Sequence, residues 1–211
     1  MKKIILIILA IVFLQACGDA TLTPDNNTSE FMPLKAGNYW ITISKNYDLD
    51  RIDTMRLECL SDTTYLDKKW WFLKYAQQKD TSWNNKNIYS KDIYLMKTDN
   101  NGISMLGDDN RDKEFIMFKY PVKTGDQYLS FKDSVVVLNT DTTMILFSKV
   151  YKNVIIYKAS EPLINGDYNY FYKRYVCPGI GLIKLEQYLV GTQSFPQRLI
   201  AAEELFEYKI Y

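Results

Sequence analysis

From Pro33 onward the sequence falls into short runs in which apolar and polar residues alternate, separated at fairly regular intervals by turn residues. A period of two puts successive side chains on opposite faces of an extended chain, so each run reads as a half-buried strand. The clearest runs cover residues 39–44, 55–60, 69–76, 93–97, 114–120, 134–138, 143–150, 153–159, 168–176 and 182–189. In Met55, Leu57 and Cys59, interleaved with Arg56 and Glu58, the alternation assigns Cys59 to the buried face. Asn100-Asn101-Gly102 and Asn165-Gly166 lie between apolar runs, where a tight hairpin requires positive backbone dihedrals. The predicted fold is all-β and antiparallel, either a β-sandwich or a strongly curved, barrel-like sheet. One stretch, 197–208, places Leu199, Ala202, Glu203 and Phe206 at helical spacing and fits a short C-terminal helix or a terminal strand.

Composition agrees. With 17 Tyr, 10 Phe and 47% hydrophobic residues against 24% charged, the chain can bury a core, and its aromatics favour strands. Lys and Arg total 26 against 25 Asp and Glu, which gives no electrostatic footprint for nucleic acid. The chain has no histidine, so His-dependent triads, Cys-His dyads and histidine metal ligands are excluded. Length and the absence of any repeat or linker predict one domain over residues 33–211.

Residues 1–16 begin with Lys2 and Lys3 and continue into an apolar run from Ile4 to Leu14. A membrane-spanning helix needs about 20 apolar residues, so this run reads as a signal peptide. Leu14-Gln15-Ala16-Cys17 resembles a bacterial lipobox, which implies cleavage before Cys17 and acylation of that cysteine. Several acyl chains, each contributing about 0.8 kcal/mol per buried methylene, make a lasting anchor, so the membrane is an expected partner. Gly18 stands where an aspartate would retain a lipoprotein at the inner membrane, so the resemblance implies an outer-membrane address, facing the periplasm or the cell surface. Residues 17–32 are polar and without periodicity beyond the lipidated cysteine, as a flexible tether would be.

Two further segments, Pro33-Leu34-Lys35-Ala36-Gly37-Asn38-Tyr39-Trp40 and Pro178-Gly179-Ile180-Gly181-Leu182-Ile183-Lys184, resemble the recurring start and PGIGLVK segment of small Bacteroidota outer-membrane lipoproteins of unknown function. Their glycines suit a turn before the first strand at Gly37 and a bend or bulge at Gly179 and Gly181.

Candidate chemistry is sparse. The acid-rich stretch from Asp108 fails as a calcium loop, because Lys113 stands where glycine is needed and Lys119 where glutamate is needed. Asp48, Asp50 and Asp53 form an acidic cluster of the kind glycoside hydrolysis draws on. Cys59 and Cys177 either pair in the oxidising envelope or stand as two buried thiols. Trp83, among Asp80, Asn84 and Asn85, is the candidate for stacking on a ligand such as a sugar ring. No catalytic residue, metal centre or cofactor is indicated. The expected function is a membrane-anchored, non-enzymatic binding or accessory module of the cell envelope, with a glycan or envelope protein as partner. The alternative is a carboxylate-dependent glycoside hydrolase. Cys17→Ala is expected to abolish incorporation of labelled fatty acid and leave an unprocessed precursor; labelling that persists would overturn the anchor assignment.

Overall fold

The computed structural model describes residues 31–78, 88–106, 113–160, 170–190 and 196–211. They form strands β1 (Tyr39–Asn46), β2 (Arg51–Tyr65), β3 (Lys68–Gln78), β4 (Ile88–Asp99), β5 (Gly102–Leu106) and β6 (Glu114–Lys119). The chain continues through β7 (Gln127–Ser130), β8 (Asp133–Leu146), β9 (Lys149–Ser160), β10 (Tyr170–Cys177), β11 (Gly181–Leu189) and β12 (Arg198–Lys209). All belong to one antiparallel sheet ordered β6-β5-β4-β3-β2-β1-β12-β11-β10-β9-β8-β7, with no helix among the described residues. The last strand joins the two halves by pairing with β1 on one side and β11 on the other.

The edges, β6 and β7, are consecutive in sequence, and the sheet curls until they meet. No ladder joins them, but tyrosines bridge the seam. The Tyr128 hydroxyl donates to the Met117 carbonyl at 3.2 Å and accepts from the Lys119 amide at 3.3 Å, while the Tyr157 hydroxyl donates to the Lys119 carbonyl at 2.8 Å. The result is a nearly closed, barrel-like sheet whose inward positions form the core. Leu73, Ile103, Val137, Tyr157, Ile183 and Leu205 lie there with essentially no exposure. The alternation read at Met55, Leu57 and Cys59 holds: Cys59 is buried, and Arg56 pairs with Glu58 on the outer face.

Three expectations are corrected or resolved. Residues 198–209 are a strand, not a helix, because that conformation gives their backbone two ladders. The apparent helical spacing arises from β-bulges: Ile41 pairs with Glu207 but Thr42 with Leu205, and Gln187 with Ala201 but Tyr188 with Leu199, so Phe206 and Ile200 are extra residues that break the period of two. The run at 143–150 is divided by a tight turn at Phe147 and Ser148, both at positive φ without glycine. Cys59 and Cys177 are two free, buried thiols rather than a bridge; the Cys177 thiol donates to the Lys152 carbonyl at 3.5 Å, and burial pushes each thiol up to about 11. Of the adjacent tryptophans, the one on the outer face is the more deeply buried. Trp70 donates its ring N–H to the Tyr65 carbonyl and lies beneath Lys97, which pairs with Asp99 and Glu114.

One end of the barrel is closed by the segment before β1. Phe31, Met32 and Leu34 are buried in the core, and Phe31 stacks on Tyr120 with ring centroids 4.5 Å apart. Asn38, fully buried, fixes this segment: its side chain donates to the Pro33 carbonyl at 2.8 Å and accepts from the Tyr211 amide at 3.0 Å. Its backbone carbonyl accepts from the Cys59 amide, and the Gly37 amide donates to the Cys59 carbonyl. Gly37, at φ 89°, makes the turn that brings Asn38 into place. Asn38→Ala leaves the buried Pro33 carbonyl without its partner, at a cost of about 1–3 kcal/mol, and releases the part-exposed Tyr211 amide. The urea unfolding midpoint should fall with the slope unchanged; an unaltered midpoint would show that the contact is dispensable.

Candidate functional site

The segments 33–40 and 178–184 meet in space. Trp40, on β1, points inward and donates its indole N–H to the Ile180 carbonyl at 2.7 Å. The Gly179 amide donates to the Phe31 carbonyl at 3.0 Å. Gly181, at φ 105°, lies so close to Met32 that a Cβ there would stand 3.0 Å from its Cγ. Met32 of the entry segment and Leu182 at the start of β11 line a cavity of about 330 Å³ inside the sheet.

Strands β1 to β6, β11 and β12 contribute to the lining. Trp40 pairs with Leu57 and Leu57 with Tyr75, giving one row from β1 to β3. Met96 pairs with Met105, giving a second row on β4 and β5. Tyr94, Met117, Phe118 and Leu182 complete the apolar surface, and Thr42 and Glu203 supply the polar one. Four of the chain's seven methionines, Met32, Met96, Met105 and Met117, face this space. Methionine side chains are unbranched and polarizable, so a wall built from them adapts to the shape of an apolar guest. A volume of this size falls within the range of about 300–1,000 Å³ of small-molecule sites, where a few polar groups set orientation within an apolar lining.

Glu203 is the one ionisable carboxyl among the described lining residues. It reaches the interior because β12 alternates: Glu203 sits opposite Leu185 and faces in, while Glu204, opposite Lys184, faces out. The Thr42 hydroxyl donates to its Oε1. Burial raises the Glu203 pKa above the ordinary value, and the Thr42 hydrogen bond partly offsets that. Ser44 is paired with both Asp53 and Glu203, so a second acid lies on the same inner face two strands away. Asp53 is not part of the lining: its Oδ2 is held by Arg51 Nε at 2.6 Å and by Gln77 Nε2 at 2.9 Å. Its buried Oδ1 has no hydrogen-bond partner.

The outer face of β10–β12 carries a different kind of cluster. Glu186 accepts from the Tyr175 hydroxyl at 2.7 Å and the Tyr188 hydroxyl at 2.9 Å, and Lys184 joins it at 3.1 Å to Glu204 at 2.9 Å. Burial opposes ionisation of Glu186, but Tyr175 and Lys184 hold its carboxyl below the ordinary range. These groups satisfy one another and behave as a structural brace.

Of the residues singled out from sequence, Trp83, Asp80, Asn84 and Asn85 lie outside the described residues, as do Cys17 and Asn165-Gly166. Asp48 is engaged with Arg198 at the surface, and Asp50 is exposed at positive φ, so these acids and Asp53 do not converge on one cleft. The cavity and Glu203 were not foreseen as a site. The adjacent pair Glu203-Glu204 was the available signal, because on a strand one of two neighbours must face inward.

No family model and no curated protein matches the chain. Two solved structures share its fold. A presumed exported protein of Bacteroides fragilis NCTC 9343 with a YmcC-like fold has a TM-score of 0.56 at 12% identity, covering 86% of this chain and 99% of that one. A presumed lipoprotein of Parabacteroides distasonis ATCC 8503 has a TM-score of 0.50 at 11% identity, covering 85% of this chain and 98% of that one.

A group whose folded pKa is raised contributes stability below its unfolded value and loses it as pH rises through the folded value. Wild type should therefore lose stability relative to Glu203→Gln as pH rises above the ordinary carboxyl value of 4.5. Thermal melting of both proteins from acid to neutral pH measures this, and a constant difference between them would show that Glu203 titrates normally.

Proposed function

We propose that this protein is an envelope lipoprotein, anchored to the outer membrane through Cys17, whose barrel-like domain is a non-enzymatic binding module for a small apolar molecule. The cavity carries the reading: it draws residues from both halves of the sheet, is lined almost wholly by apolar side chains, and is given one polar end by Thr42 and Glu203. The leader and the lipobox-like Leu14-Gln15-Ala16-Cys17 support the address, and the exported and lipoprotein character of the two structural neighbours agrees with it. Binding is favoured over glycoside hydrolysis because a hydrolase of that class sets two carboxyls across the scissile bond, about 5–9.5 Å apart. The described lining offers Glu203 alone, and Asp53 is tied to Arg51 and Gln77.

The test is fluorescence of N-phenyl-1-naphthylamine, a neutral apolar probe, titrated with the mature chain from Gly18, which omits the acylated cysteine. Wild type should enhance and saturate the signal. Leu57→Trp, which fills the cavity, should weaken the probe's affinity about tenfold, equivalent to about 1.4 kcal/mol, while the melting temperature is followed in parallel. A wild-type protein that does not bind the probe would sink the proposal.

A further inference from the structure

We propose that the cavity selects organic cations, molecules with a primary or secondary ammonium on an apolar body, and that the ammonium pairs with the carboxylate of Glu203. This rests on the cavity being a binding site and names the chemistry it accepts.

The lining is one-sided in charge. Among the described residues that border the cavity there is one carboxyl and no lysine or arginine. Trp40, Tyr75, Tyr94 and Phe118 contribute four aromatic rings, and four methionines contribute thioethers. Aromatic faces carry negative charge density and attract an ammonium, most strongly where water is excluded. The indole N–H of Trp40 is already given to Ile180, so this residue presents its ring rather than a donor.

Glu203 is half-buried, and a carboxylate held partly out of water is stabilised by a charged partner. Thr42 gives Glu203 one neutral hydrogen bond, which does not cancel its charge. The cation in the same row of the sheet, Arg174 opposite Leu185, is paired with Asp133 at 3.4 Å, and Arg51, two residues from Asp53, is bonded to that acid at 2.6 Å. A guest ammonium supplies both the missing charge and further donors. An anionic guest would instead place a second negative charge beside Glu203, on a face that also carries Asp53. A neutral alcohol would gain a hydrogen bond but no charge pairing, and bonds to charged groups are roughly twice as strong as neutral ones.

The experiment displaces N-phenyl-1-naphthylamine from the mature chain with octylamine, octanol and octanoate, which differ only in their head groups, near neutral pH. Octylamine should displace the probe at concentrations about tenfold or more below the other two, the scale of one charge-assisted hydrogen bond. Glu203→Gln, which keeps the side-chain shape, should lose the preference, read as the ratio of octylamine to octanol displacement against the variant's own probe affinity. Thr42→Val, which removes the neutral donor but leaves the carboxyl, should keep it. Equal displacement by all three compounds, or a preference that survives in Glu203→Gln, would overturn the cation assignment while leaving the cavity a binding site. Failure of wild type to bind the probe would overturn both.

Discussion

The architecture depends on how the segment before β1 is fastened. A sheet of this kind closes by curling its edges together, and its ends stay open unless something fills them. Here the filling comes from Phe31, Met32 and Leu34, held by Asn38, whose side chain spans from the Pro33 carbonyl to the Tyr211 amide. One buried amide thus ties the start of the domain to its last residue. The hydrogen bond from Trp40 to Ile180 adds the β10–β11 turn to the same closure. Unsatisfied buried polar groups are costly, so this set of bonds specifies one arrangement of the end and not merely a compact one.

That accounts for the residues of the segments 33–40 and 178–184. Gly37 turns the chain, Asn38 anchors it and Trp40 reaches across; Gly179 gives its amide to Phe31, and Gly181 lets the opposite turn approach Met32 without a Cβ in the way. The two segments are in mutual contact across the closed end. The cavity lies directly above this closure, so the residues that stabilise the fold also shape the site.

Much of the fold was legible because inward and outward residues alternate plainly on strands such as β2 and β3. What escaped notice has local physical causes. The turns at Leu66-Asp67 and Phe147-Ser148 hold bulky residues at positive φ, where glycine or asparagine would have announced them, and the second is hidden inside an apolar run. Short strands such as β5 and β7 carry too few residues for a period to show. Bulges at Ile200 and Phe206 turn the alternation of β12 into a false helical spacing. The site was lost with that strand, since on a helix Glu203 could have pointed to solvent.

The pair Glu203-Glu204 shows how strand geometry divides chemistry between two faces. Both are glutamates, one residue apart, in the same strand. Glu204 faces outward and meets Lys184, whose ammonium also holds Glu186, so its charge is compensated within the sheet. Glu203 faces inward, where Thr42 is its bonded neighbour and the rest of the described lining is apolar or aromatic. The outer glutamate can be explained by stability alone. The inner one is half-buried with no cation among the described lining residues, which raises the free energy of its charged form. A leucine at that position would be the cheaper choice for an empty core, so the carboxyl marks the inner end of β12 as the polar pole of an otherwise apolar chamber.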